Sequence, residues 1–188
     1  MKILLSLSFA LLLLMQVPSN AQTKVAGVTV PNTFKAGNTN LILNGAGLRE
    51  KYWIDLYVGA LYLQNKATNG PEIAAADKHM AVKLHIVSSK INRDNMVEAI
   101  NEGFTKSTAG NTAPIKTKID QLLAAFTSIK VGDIFDLVYE PGVGITMYKN
   151  GVTATTIPGL DFKKALFGIW LGTQAVDDNL KQGMLSAK

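Results

Sequence analysis

The 188-residue sequence contains no cysteine. Disulfide staples, thiol nucleophiles and cysteine-ligated metals are therefore excluded, and packing and hydrogen bonds must hold the fold. Histidine is nearly absent too: His79 and His85 are the only imidazoles, and no third ligand stands at a spacing that would make a recognisable metal site. His85 lies inside a strand-like run, where a hydrogen-bonded structural role is commoner than that of a base. No block of five or six like charges occurs, so a nucleic-acid footprint is not expected. The formal net charge is +5, falling to about +4 without Lys2, a mild excess that suits a solvated surface better than a dedicated anion surface. A phosphate loop is also missing, because Gly45-Ala46-Gly47 lacks the third glycine and leads into a strand where a helix N-terminus would be needed. Ser88-Ser89 has no nucleophile-elbow context. The sequence implies no cofactor, no metal and no nucleic-acid partner.

The first segment that is present reads as an address. Met1 to Ala21 carries Lys2, a leucine-rich run from Ile3 to Met15, Pro18 and the small-residue exit Ser19-Asn20-Ala21, the pattern of a secretory signal peptide. Its apolar run is shorter than the ~20 residues that span a bilayer. The expectation is an exported protein, periplasmic or secreted, whose mature chain starts at Gln22. Residues 22–188 then form one domain, rich enough in Val, Ile, Leu and Phe to bury a core.

Val25–Pro31 and Thr39–Asn44 read as strands between Gly, Pro and Asn punctuation. Tyr52–Leu63 is the strongest strand pattern, apolar on its even positions and mixed on its odd ones, so both faces are mostly covered. A short helix over Pro71–Ala76 and a strand over Met80–Val87 follow. The period then changes: Met96, Val97, Ile100 and Phe104 share one helical stripe behind an Asn92 or Ser89 cap. Thr112 and Pro114 open a second helix with Ile115, Ile119, Leu122, Leu123 and Phe126 on one side. Strands return at Asp133–Tyr139, Gly144–Tyr148 and Val152–Ile157, with Asn150-Gly151 as a hairpin turn. Asp161 caps a last long stripe of Phe162, Ala165, Leu166, Ile169 and Trp170, and a short helix runs near Asp177–Leu185. Strands joined by hairpins and helices gathered in blocks predict an α+β fold: a mainly antiparallel sheet with helices on one face.

Arg49 is the residue that asks for an explanation. Its guanidinium keeps its proton at any ordinary pH, so partial desolvation requires an anionic partner. The candidates are Glu50, Asp55 or a ligand. The planar fork suits a carboxylate or a developing enolate, while an internal ion pair or a solvated turn is the commoner fate of such a residue. The glycines before it let the backbone turn sharply and approach a ligand closely.

The run Leu43-Asn44-Gly45-Ala46-Gly47-Leu48-Arg49 with Tyr57-Val58-Gly59-Ala60-Leu61-Tyr62-Leu63 resembles the opening of the chalcone isomerase-like family. INEGF at Ile100–Phe104, GDIFDLVYEPGVGITMYKNG at Gly132–Gly151 and IPGLDFKKALFGIWLG at Ile157–Gly172 are similar to its exported bacterial branch. The resemblance implies a large curved antiparallel sheet with a layer of helices packed on one face and a ligand cleft between them. It implies two roles for Arg49: stabilising an enolate, as in the plant isomerases, or gripping a fatty-acid carboxylate with a tyrosine on the following strand, for which Tyr57 is the match. Departures favour the second role. Where the isomerases place a tyrosine and a lysine near the start of the first long helix, this chain has Arg93 and Met96, and Tyr57 stands in place of a small hydroxyl residue. The expectation is a non-catalytic binder of a fatty acid or similar amphipathic carboxylate, with Arg49 and Tyr57 as ligand-binding residues. The alternative is an intramolecular lyase or isomerase of enone-like substrates with Arg49 catalytic. An unbroken strand would hold Arg49 and Tyr57 about 26 Å apart at ~3.3 Å per residue, so joint action requires the chain to fold back near Glu50-Lys51.

Overall fold

The computed structural model describes residues 22–186. Residues 1–21, expected from the sequence to be a signal peptide, lie outside the described residues. Nine strands and five helices run in the order β1 (Gln22–Val25), β2 (Val28–Pro31), β3 (Thr33–Ala36), β4 (Thr39–Lys51), β5 (Ile54–Leu63), α1 (Gly70–Ala75), β6 (Met80–Ile86), α2 (Arg93–Ser107), α3 (Lys116–Ala125), β7 (Ile134–Glu140), β8 (Gly144–Lys149), β9 (Val152–Ile157), α4 (Leu160–Leu171) and α5 (Asp178–Leu185). Strands β3 to β9 form one curled, wholly antiparallel sheet in sequence order, and β1–β2 make a separate hairpin. The α+β expectation, with its curved antiparallel sheet, is met.

Each face of the sheet has its own cover. Tyr57, Leu61 and Leu63 of β5 turn toward the helices and share a core with Phe104, Phe162 and Leu166. Val58, Ala60 and Tyr62 turn the other way, against Val30 of the β1–β2 hairpin; there the Tyr62 hydroxyl donates to the Pro31 carbonyl at 2.9 Å. This two-sided cover is why the sequence of β5 is apolar on both alternating sets.

Local signals account for most boundaries. Asn92 caps α2 in a reciprocal box with Asn95, which satisfies two orphan amides of the first turn. Asn150 and Gly151 both hold positive φ between β8 and β9, as a two-residue mirror-image turn demands. Four readings are corrected. Val25–Pro31 is not one strand but a hairpin turning at Ala26-Gly27, and β3 joins the sheet where no strand was expected. Tyr52 and Trp53 are not strand residues: they turn the chain between β4 and β5. Asp161 sits in the first turn of α4 and pairs with Lys118 at 2.7 Å, while Gly159 holds the cap position.

Gly45 and Gly47 lie inside β4 and turn nothing. They admit α5. A Cβ at Gly45 would collide with the Gly183 carbonyl, one at Gly47 would stand 2.9 Å from the Leu180 carbonyl oxygen, and one at Gly183 would lie 2.7 Å from the Gly47 Cα. Backbone therefore meets backbone, and the close approach that these glycines permit is that of a helix.

Candidate functional site

The hairpin β4–β5 settles the distance between the two residues of interest. The chain reverses at Tyr52-Trp53, one residue beyond Lys51, and the register sets Arg49 directly opposite Tyr57. A bulge follows the pair, so Leu56 and Ile54 as well as Lys51 face the same hollow as Arg49 and Tyr57. Glu50 and Asp55 form the next cross-strand pair and are exposed on the reverse side.

That hollow is a cavity of about 240 Å³ between the open end of the sheet and helices α2 and α4. Its wall is apolar: Leu56, Leu84, Ile91, Met96, Ile169 and Trp170. Its rim is cationic, with Lys51, Lys90 and Lys106 beside the single carboxylate Glu102. Glu102 is tied to Lys106 at 2.7 Å, and its carboxyl is held below the usual range first by that hydrogen bond and by the charges of Lys106, Lys51 and Arg49. Lys51 and Lys90 have no carboxylate partner among the described residues.

Arg49 has a partner, and it is neither Glu50 nor Asp55. Its Nη1 donates to Asp177 Oδ2 at 2.7 Å and to the Glu50 backbone carbonyl at 3.0 Å. Asp177 is also the N-cap of α5, its Oδ1 accepting from the Leu180 amide at 2.8 Å. One carboxylate thus serves two tasks, capping a helix and neutralising a guanidinium 128 residues away. The pairing is lopsided. Nη1 makes both bonds, while Nε and Nη2 have no acceptor among the described residues, and the side chain stays 18 % exposed at the cavity wall.

Tyr57 is also half satisfied. Its hydroxyl accepts from the Trp170 indole at 3.0 Å and has no acceptor for its own hydrogen among the described residues. Burial pushes its pKa up, against the Trp170 hydrogen bond and the Arg49 charge, which pull it down. The phenol therefore stays protonated, a poor base but a fixed donor. Of the two helix positions set against the isomerases, Met96 lines the cavity, whereas Arg93 is held outside it, its Nε donating to the Phe126 carbonyl at 2.9 Å. The hollow thus sets hydrogen-bond donors against an apolar wall, a combination with the chemistry to match an anionic head and an oily tail.

A family model described as chalcone isomerase-like matches residues 22–186. The chain belongs to the chalcone isomerase-like family. The family match covers every described residue. Among solved structures, a fatty-acid binding protein of Arabidopsis thaliana is similar in fold, with a TM-score of 0.66 at 18 % identity, over 85 % of this chain and 92 % of that one. No curated protein matches the sequence.

Asp177 was not among the residues singled out in the sequence as Arg49 partners. Its signal there is local, an Asp at the head of a short helix, and nothing local marks the distant arginine. Trp170 reads from the sequence as a core residue of a helical stripe, which it is; its indole bond to Tyr57 depends on the docking of α4.

Proposed function

We propose that this chalcone isomerase-like protein is an exported binder of a fatty acid or similar amphipathic carboxylate, with the head group on Arg49 and Tyr57 and the tail along the apolar wall. Export rests on the signal-peptide pattern of the first 21 residues. The observation that carries the reading is the cross-strand pair itself: a guanidinium and a protonated phenol side by side, each with unused donors, at one edge of an apolar hollow. A carboxylate fits a two-donor grip of this kind, and the Arabidopsis fold relative is a fatty-acid binding protein. A volume of about 240 Å³ falls near the lower limit of small-molecule pockets, ~300 Å³, which favours short and medium acyl chains over long ones.

The test is calorimetric titration of the mature protein with octanoate, laurate and palmitate, beside native mass spectrometry of the protein as isolated. Saturable binding is expected, weakened at least tenfold in Arg49→Ala, about 1.4 kcal/mol. Equal affinity in Arg49→Ala, or no acid bound at any chain length, overturns the reading. One observation favours a second reading: the Arg49–Asp177 pair by itself clamps the start of α5 to the sheet. If that clamp is the whole role of Arg49, Arg49→Ala lowers the melting temperature and leaves acid affinity untouched. The isomerase alternative lacks such support, since Arg93 is directed away from the hollow.

A further inference from the structure

The turn between β4 and β5 breaks the rule that governs its type. Both central residues, Tyr52 at φ 53° and Trp53 at φ 61°, occupy the left-handed region. Two-residue hairpins of this geometry select Asn, Asp and Gly because a bulky side chain there crowds its own backbone. Among the described residues, the chain places a glycine in both of its other such turns, Ala26-Gly27 and Asn150-Gly151. Packing does not compensate the strain, because Tyr52 is 78 % and Trp53 91 % exposed. Strain held without a benefit to the fold points to a use outside it.

The surroundings specify that use. Tyrosine and tryptophan combine an apolar ring with a polar edge and partition to the headgroup level of a bilayer. Lys51 stands over the Tyr52 ring, 5.5 Å from its centroid, and Lys51 and Lys90 are the rim cations without carboxylate partners. The acidic pair Glu50 and Asp55 is set on the opposite side of the hairpin from Lys51 and Ile54, so it does not face what the tip and rim would touch. Tyr52, Ile54 and Lys51 also line the cavity. The tip is therefore continuous with the hollow's mouth.

We infer that the Tyr52-Trp53 tip is a bilayer-contact element, which inserts its two aromatic side chains among the headgroups of an anionic membrane and sets the cavity mouth against the lipid surface. A juxtamembrane lysine is attracted to an anionic surface within a Debye length, which adds to aromatic insertion and fixes the orientation. A protein partner would use the same exposed residues, and the experiment separates the two.

The mature chain is mixed, without added acid, with vesicles of phosphatidylcholine alone and of phosphatidylcholine with phosphatidylglycerol. Trp170 is 2 % exposed, so a change in tryptophan emission reports Trp53. Expected are co-sedimentation with the mixed vesicles, a blue shift of emission and protection from an aqueous quencher, all weaker on phosphatidylcholine alone. The double variant Tyr52→Asn, Trp53→Gly restores preferred turn residues. It should melt at a higher temperature while vesicle partition drops at least tenfold, about 1.4 kcal/mol, and opposite signs in stability and binding exclude a purely structural role for the tip. Absence of partition onto the mixed vesicles, or equal partition by the double variant, overturns the inference. Because acid is omitted, neither outcome depends on the carboxylate reading, which Arg49→Ala tests separately.

Discussion

Two cations lie against apolar surroundings in this molecule, and they are treated in opposite ways. Lys163 of α4 is wholly buried, and its ammonium donates to the carbonyls of Ile73 and Ala74 at 2.9 Å each and of Ala76 at 2.7 Å. These carbonyls lie at the end of α1, where helix acceptors run out of backbone donors; only that of Ile73 has another, the Ala76 amide at 3.3 Å. The Tyr139 and Phe167 rings complete the site, 5.3 and 5.2 Å from the nitrogen. Every hydrogen of Lys163 is used, and the group is architecture. Arg49 is only partly buried, bonds through one nitrogen and leaves two facing a hollow. The difference teaches that burial of a charge does not mark function; an incomplete set of partners beside an apolar hollow does.

The largest effect should come from breaking the saturated site. Lys163→Met leaves the Ala74 and Ala76 carbonyls at the end of α1 without a donor and that of Ile73 with the Ala76 amide alone, and the loss is expected at about 3 kcal/mol, in the range for breaking a buried polar cluster by removing one member. A urea midpoint within error of the wild type would show that α1 ends without help from α4. Next in size is a change that sharpens the contrast. Asp177→Asn keeps an N-cap acceptor, since Asn caps as well as Asp, and removes the charge that occupies Arg49. Carboxylate affinity should rise about tenfold, ~1.4 kcal/mol, with a smaller cost in stability. An unchanged titration would assign the pair to holding α5 alone. Smaller again in affinity is Tyr57→Phe, which removes the phenol donor and leaves the Trp170 indole unpaired; severalfold weaker acid binding should accompany a stability loss of about 1 kcal/mol.

The pH response separates the two cations last. Burial pushes Lys163 from its usual 10.5 down to about 7, partly opposed by the charge of Asp77. Between about 7 and 10.5 the unfolded chain then holds a proton that the folded chain has released, so this group's contribution to stability rises with pH across that window and is flat below it. Wild type minus Lys163→Met, followed by chemical unfolding from pH 6 to 10, should show that slope. A flat difference would mean that the three carbonyls keep the proton in place.

What could be read from the sequence follows the range of each signal. The α2 cap at Asn92, the Asn150-Gly151 turn and the helical stripe of α4 are written in neighbouring residues, and all three stand where the spacing places them. The family resemblance supplied the curved sheet and the cleft. The Tyr52-Trp53 turn was invisible for a physical reason: aromatic side chains at positive φ contradict turn chemistry, and the apolar alternation runs straight through them. Arg49 was recognisable as needing an anion, yet Asp177 was not recognisable as that anion, because only the docking of α5 brings them together. Gly45 and Gly47 announced that something comes close to the backbone, but a glycine cannot say whether the visitor is a ligand or a helix.

The contact of α5 with those glycines gives the hollow a remote control. Since Asp177 rides at the head of α5, any atom added at position 45, 47 or 183 would lift the helix and draw the counter-charge from Arg49, without altering a single residue of the wall. The charge balance around Arg49 can thus be tuned through methyl-sized changes further along the same face of β4 or on α5.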